Sequence, residues 1–292
     1  MSPTVYFNGA FVAKDEVRIS PDDRGFLFSD GVYEVIRSYE GRLFELTLHL
    51  ARLEQGLCAM GIAGIRVDSL ADVFRRLLTD NGLTTGTATI YLQITRGVAP
   101  RTHAFPDPPV PPTVYVEAKR LLPRADPAVG VSVITVPDTR WTRCDIKTVG
   151  LLANCMANQR AREAGAIEAV LVRDGVALEA TASSVFAVVR DEVRTAPKSN
   201  YILPSITREV VLRLCRAAGI ALRETPVFLD ELPQASELFL ASTTLEVMPI
   251  VQVDGWQVAD GRPGPVTRRL VELFQAETAR VTGPEAASSK RS

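Results

Sequence analysis

Tight-turn dipeptides set the first constraint on this chain. Asn8-Gly9, Glu40-Gly41 and Asp174-Gly175 each interrupt a run rich in β-branched and aromatic residues. Such pairs supply the positive φ that a two-residue turn demands, so each predicts an antiparallel hairpin. The hairpins read T-V-Y-F-N-G-A-F-V, G-V-Y-E-V-I-R-S-Y-E-G-R-L-F and E-A-V-L-V-R-D-G-V-A-L-E-A. A-T-I-Y-L-Q-I-T-R-G and T-V-Y-V-E-A-K are further strands by composition. Helices are predicted over 47–62, 69–79, 149–164, 206–218 and 265–280. Ser69 reads as an N-cap and Asn81-Gly82 as a stop. Val149, Leu152 and Met156 form the apolar stripe of the third helix, and Ile206, Val210 and Leu214 that of the fourth. Strands and helices alternate without a regular βαβ rhythm, which predicts an α+β fold rather than a doubly wound sheet.

A chain of 292 residues has room for two domains. L-L-P-R-A-D-P at 121–127 reads as their connector. This places one domain at 1–120, a second at 128–281, and a disordered tail at 282–292. Between the strands that end near 95 and begin near 113 lies A-P-R-T-H-A-F-P-D-P-P-V-P-P. A proline-rich loop of that length is more often functional than idle.

A net charge of −1 gives no electrostatic reason to bind nucleic acid or an anionic membrane. No apolar run reaches the roughly 18 residues of a membrane helix, and the N-terminus lacks a signal pattern. A cytoplasmic protein is expected. Cys58, Cys144, Cys155 and Cys215 form no C-x-x-C pair, and Cys58, Cys155 and Cys215 fit small buried hydrophobes. With His49 and His103 the only histidines, no metal site is expected. G-x-S-x-G, G-x-x-x-x-G-K and G-x-G-x-x-G are all absent.

Four constellations could carry chemistry. Lys147, at a strand-to-helix turn, is either a solvated surface amine or a rigidly held nucleophile. Ser205 heads S-I-T-R, where the free N–H groups of Ile206 and Thr207 either end a helix plainly or hold a phosphate. Ser242, Thr243 and Thr244 form a simple turn or a second set of anion donors, with Arg52 a possible third. Glu179 is an edge glutamate or a carboxylate facing a heterocyclic nitrogen.

Taken together these residues resemble the fold-type IV pyridoxal-phosphate enzymes. The matching motifs are D-R-G-F-L-F-S-D-G-V-Y-E-V at 23–35, H-L-A-R-L at 49–53, R-C-D-I-K-T at 143–148, E-A-T-A-S-S-V-F at 179–186, I-L-P-S-I-T-R at 202–208 and S-T-T-L-E-V-M-P-I at 242–250. The resemblance covers about residues 4–280. It implies a small N-terminal α/β domain, a larger C-terminal domain built on a β-barrel, pyridoxal 5'-phosphate between them, and a homodimer. It implies that Lys147 forms a Schiff base with the cofactor and shuttles the substrate's α-proton. Glu179 would pair with the pyridine nitrogen, and Leu203 would pack on the ring. Arg52, Ser205, Ile206, Thr207, Ser242 and Thr243 would hold the phosphate.

Within the group, I-T-R-G-V-A-P-R-T-H-A-F-P at 94–106 is similar to the loop of the D-amino acid aminotransferases. There an arginine and a histidine from the neighbouring subunit join a tyrosine to grip the substrate carboxylate. The matching residues are Arg101, His103 and Tyr33, with Val35, Arg37 and Thr244 also toward substrate. The resemblance implies amino-group transfer from a D-amino acid such as D-alanine to 2-oxoglutarate or pyruvate. Its alternatives are a branched-chain L-amino acid or (R)-amine transaminase, an aminodeoxychorismate-type lyase, or a non-catalytic carrier of the cofactor. Departures from the pattern are Ser184 for asparagine, Ala180 and Ala182 for glycine and serine, Ser205 for glycine, and Arg37 for lysine.

Overall fold

The computed structural model describes residues 2–122 and 125–282. The chain divides into two compact units. The first runs through Leu122 and includes Ile146–Gly150; the second takes the residues up to Asp145 and those from Leu151 onward.

The first unit contains β1 (Thr4–Phe7), β2 (Ala10–Ala13), α1 (Arg24–Phe28), β3 (Gly31–Tyr39), β4 (Arg42–Leu43), α2 (Leu46–Met60), α3 (Leu70–Asp80), β5 (Thr87–Thr95) and β6 (Thr113–Arg120). Its six strands form one antiparallel sheet in the order β2-β1-β6-β5-β3-β4. The Asn8-Gly9 and Glu40-Gly41 turns join β1 to β2 and β3 to β4, as their dipeptides predict. Val32 and Ile36 of β3 and Ile90, Leu92 and Ile94 of β5 pack with Leu53 and Leu57 of α2 and Phe74, Leu77 and Leu78 of α3. Burying each such side chain contributes about 1.5–3 kcal/mol relative to exposure. The alternation along β3 then has a chemical consequence. Glu34 lies between Val32 and Ile36 on the buried face, while Tyr33, Val35 and Arg37 occupy the opposite, half-buried face.

The second unit contains β7 (Val131–Pro137), α4 (Leu152–Glu163), β8 (Glu168–Arg173), β9 (Val176–Ala180), β10 (Ser184–Val189), β11 (Glu192–Thr195), α5 (Ile206–Ala217), β12 (Leu222–Glu224), β13 (Val227–Phe228), β14 (Glu237–Ser242), β15 (Glu246–Val253), β16 (Trp256–Gln257) and α6 (Pro265–Thr282). The path β10-β14-β15-β7-β8-β9 returns to β10 through the pair Ser184–Glu179, so six strands close into a barrel. β7 runs parallel to β8 and β15; the other barrel pairs are antiparallel. This is the α+β fold with a barrel-based larger unit that the resemblance implies. The barrel interior is aliphatic, with Val133, Val170, Val185, Leu240 and Ile250 among its buried residues.

Several local expectations change. Residues 146–150 sit with the first unit rather than with 128–281, because Val149 N–H donates to Gly31 O and Tyr33 N–H to Lys147 O. That pairing keeps the segment extended, so α4 begins at Leu152 rather than 149. The predicted apolar stripe of α4 is not its buried face: Leu152 and Met156 are exposed, and Ala157 and Ala161 are buried. Ser69 does not cap α3; its hydroxyl donates to Arg66 O instead. Cys215 is buried as expected, whereas Cys58 and Cys155 are exposed and Cys144 is buried. Of the expected connector, residues 123–124 lie outside the described residues, as do residues 283–292 of the expected tail. Residue 282 of that tail is the last of α6.

Candidate active site

In the first unit, Lys147 is placed by backbone. The Val32–Thr148 bridge and the two hydrogen bonds above add residues 146–149 to the free edge of β3. Its Nζ lies 4.1 Å from the centroid of the Tyr33 ring, a cation–π contact. Among the described residues no carboxylate pairs with it. Asp145, its neighbour in sequence, is held by Arg143 at 3.0 Å through both oxygens.

Glu34 organises the buried face behind it. Arg52 Nε and Nη2 donate to its two oxygens at 2.7 and 2.8 Å, and His49 Nδ1 lies 2.8 Å away. Arg52 and His49 stand one helical turn apart on α2, so both reach the same carboxylate. Burial alone would raise Glu34, but the Arg52 cation and the hydrogen bonds outweigh it and hold the carboxyl down at about 2. Burial pushes His49 below the ordinary imidazole value against the pull of Glu34, and the Arg52 and Lys147 charges push the same way. A neutral His49 therefore donates its Nδ1–H to Glu34. Arg52 is thus oriented by Glu34, a residue that sequence reasoning passed over. The alternation of β3 was the available signal, because it buries a glutamate among aliphatics.

Arg101 and His103 are exposed and share one aromatic neighbour. The Arg101 guanidinium carbon is 5.4 Å from the Phe28 centroid, and the His103 ring meets Phe28 edge-on at 5.8 Å. Tyr33, Val35 and Arg37 line the opposite face of β3, with Arg37 stacked over Tyr39 at 4.7 Å.

In the second unit, Glu179 is buried near the end of β9. Leu203 N–H donates to both of its oxygens at 3.2 and 3.1 Å, and Arg140 pairs with it. Arg140 is itself gripped by Asp138, through Nε at 2.9 Å and Nη2 at 3.0 Å. Arg173 adds a contact to Asp138 at 3.1 Å. Burial would raise Asp138, but Arg140 and Arg173 hold it below its ordinary value. Burial would lower Arg140, but Asp138 and Glu179 raise it further into the charged range. Asp138 and Arg140 were also missed, since D-T-R after a strand has no distinctive pattern.

Ser205 is the N-cap of α5; its Oγ accepts from Arg208 N–H at 3.2 Å. The N–H groups of Ile206 and Thr207 have no acceptor among the described residues, as expected of a helix's first turn. Ser242 ends β14 and Thr243 and Thr244 begin the turn to β15, where Ser242 Oγ accepts from Leu245 N–H at 3.2 Å. α5 packs against β14. Leu203 is half-buried beside the carboxylate its amide holds. Of the expected site residues, the first unit holds Tyr33, Val35, Arg37, Arg52, Arg101, His103 and Lys147. The second holds Glu179, Leu203, Ser205, Ile206, Thr207, Ser242, Thr243 and Thr244. Among the departures, Ser184 is the buried partner of Glu179 across the barrel seam.

The family model for amino-transferase class IV matches residues 31–253. The chain belongs to the class IV aminotransferases. It is 41% identical over 272 residues to the D-alanine aminotransferase of Staphylococcus haemolyticus, covering 92% of this chain and 96% of the relative. The D-alanine aminotransferase of Bacillus licheniformis is 40% identical over 279 residues, covering 93% and 95%. Among solved structures, the branched-chain amino acid aminotransferase of Escherichia coli superposes with a TM-score of 0.87 at 25% identity, covering 94% of each chain. The T.th. branched-chain amino acid aminotransferase, complexed with N-(5'-phosphopyridoxyl)-L-glutamate, gives 0.88 at 25% identity, covering 98% and 96%.

Class IV aminotransferases use pyridoxal 5'-phosphate. The donor set of this chain fits that group. A helix N-terminus with two acceptor-free amides suits a phosphate. A buried carboxylate braced by a cation and a backbone amide suits a ring N–H. A lysine with no carboxylate partner among the described residues suits an aldehyde.

Proposed function

We propose that this chain moves the amino group of a D-amino acid such as D-alanine to a 2-oxo acid, 2-oxoglutarate or pyruvate, by alternating half-reactions. The observation that carries this reading is the pair Arg101–His103 gathered on Phe28, in a chain whose relatives at 40–41% identity are named D-alanine aminotransferases. Arg101 offers a planar fork that binds a carboxylate through two hydrogen bonds. His103 and the Tyr33 hydroxyl add donors.

Lys147 carries the catalysis. Its amine takes the proton from the substrate Cα and returns it on the reverse half-reaction. The bound pyridoxal phosphate supplies the electron-withdrawing ring that accepts the electron pair left on Cα. Glu179 fixes the ring nitrogen's proton, and Arg140 and Leu203 N–H keep that carboxylate in place. Ser205, Ile206, Thr207, Ser242, Thr243 and Arg52 hold the phosphate. Thr244, Val35 and Arg37 shape the pocket for the side chain. Anchoring the carboxylate on one side turns a single face of Cα toward Lys147, which selects the enantiomer.

Lys147→Ala is expected to abolish turnover with the fold intact; near-native transamination would refute the assignment. A half-reaction panel of D-alanine against L-leucine, read as 2-oxo acid formed, separates the proposal from its main rival. That rival, a branched-chain L-amino acid transaminase, draws support from the solved neighbours. Preference for L-leucine would favour it.

The working unit in this reading is a homodimer in the cytoplasm, its partner lending Arg101 and His103. Exposed Phe26 and Ile19 in the first unit and Leu152, Met156 and Trp141 in the second support a second copy as their cover. No helix among the described residues is long and apolar enough to cross a membrane. Light scattering after size exclusion tests the assembly, with a mass of one chain as the contrary result.

A further inference from the structure

We infer that Arg24 is a positioning residue for substrate carboxylate binding: it clasps the loop of Arg101 and His103 by its backbone and sets where their side chains stand. This rests on the proposed role of Arg101 and His103. The clasp begins at the loop's first residues. Arg24 N–H donates to Gly97 O at 2.9 Å, Ala99 N–H to Asp22 O at 3.3 Å, and Asp23 bridges to Val98. Asp23 also accepts from Thr95 Oγ1 at 3.1 Å and Thr113 Oγ1 at 2.6 Å, tying together the two strands the loop connects.

The Arg24 side chain then reaches the loop's working part. It is only 2% exposed. One edge of the guanidinium donates from Nε to Asp30 at 2.8 Å. The other side donates from Nη1 to Thr102 O at 2.7 Å and from Nη2 to His103 O at 3.5 Å. The same group stacks over Phe28 at 4.8 Å, and Phe28 is the ring that meets both Arg101 and His103. So Arg24 holds the backbone of His103 and of Thr102, the residue after Arg101, and, through Phe28, the ring on which the Arg101 and His103 side chains rest.

Charge strengthens the argument. Asp30 also takes Arg96 through Nε at 2.7 Å and Nη2 at 2.9 Å. Two buried guanidiniums on one carboxylate leave an excess positive charge. Carbonyls of Thr102, His103, Met60 and Gly61 and the Phe105 ring, 3.5 Å from Arg96, are what face it. Pulling the loop away would strip carbonyl acceptors from a buried cation, which is costly. A lysine cannot replace this clasp, because three donors on one nitrogen do not span Asp30 and two loop carbonyls.

The test compares Arg24→Lys, Phe105→Ala and Arg101→Ala as holoenzymes. Arg24→Lys is expected to raise KM for D-alanine about tenfold with kcat changed less than about twofold. Hydrogen exchange of the amides at 101–105 is expected to speed up while that of β3 and β5 stays as in the wild type. Phe105→Ala, which removes an exposed ring and leaves the core whole, should shift both readouts the same way by less; it decides the matter if Arg24→Lys does not fold. If Arg101→Ala raises KM but neither other variant moves KM, the inference is wrong and the function stands. Faster loop exchange with an unchanged KM, or an equal loss spread over kcat and KM, also overturns it. If Arg101→Ala leaves KM for D-alanine unchanged, the carboxylate role itself fails.

Discussion

Each unit buries a glutamate against an arginine, and the two pairs are built in opposite senses. In the first, Glu34 is the hub: Arg52 and His49 both converge on it from α2. The carboxylate serves the arginine, fixing a cation that is proposed to meet an anion. In the second, Arg140 is the hub, gripped by Asp138 on one side and paired with Glu179 on the other. There the arginine serves the carboxylate. One arrangement delivers a positive charge and the other a negative one. The sign of the delivered group matches the part of pyridoxal phosphate each is proposed to meet.

The contrast can be broken by parallel substitutions. The largest effect is expected from Glu179→Gln, a loss in kcat on the order of a hundredfold or more, because an amide no longer favours the protonated ring nitrogen. Its stability should change little, since Arg140 keeps Asp138; steady-state kinetics alongside urea unfolding separates the two. Glu34→Gln should do the reverse. It removes the charge on which a buried arginine and histidine converge, and about 3 kcal/mol of stability is expected to go with it. Cofactor affinity should fall with it, read by titrating apoprotein. Equal kinetic and stability profiles for the two variants would erase the distinction.

Acid provides a milder version. Glu34 titrates at an ordinary 4.5 when unfolded and at about 2 when folded. A depressed carboxylate contributes its full stability above pH 4.5 and loses it as pH falls toward 2. Wild-type unfolding free energy should therefore drop by roughly 3 kcal/mol across that window, and the Glu34→Gln variant should be flatter there. The smallest effect is expected from His49→Gln, about 1 kcal/mol by denaturant unfolding, because a neutral donor to Glu34 is replaced by another.

The contrast also shows what could be read from the chain. Hairpins at Asn8-Gly9, Glu40-Gly41 and Asp174-Gly175 were legible because a positive φ at the turn is a local demand. Lys147, Glu179 and the S-I-T-R and S-T-T segments were legible as residue types at element ends. The bracing residues were not. Arg140 acquires its role only when β7 and β9 take their places on either side of β8, and Glu34 only when α2 covers β3. The extended form of 146–150 is likewise imposed from a distance, by Gly31 and Tyr33. Helix α1, five residues long and capped by Asp23, is too short to show a period. What the chain states locally is which groups are chemically able; what holds them is stated only in three dimensions.

The barrel seam makes this concrete. β9 and β10 meet through one residue pair, and one member of that pair is Glu179. The residue whose carboxylate is proposed to hold the ring nitrogen therefore also rivets the seam, through its backbone. Given that proposed role, parting the seam would displace the group that holds the ring, and an occupied site would act as a clamp on the barrel's last closure.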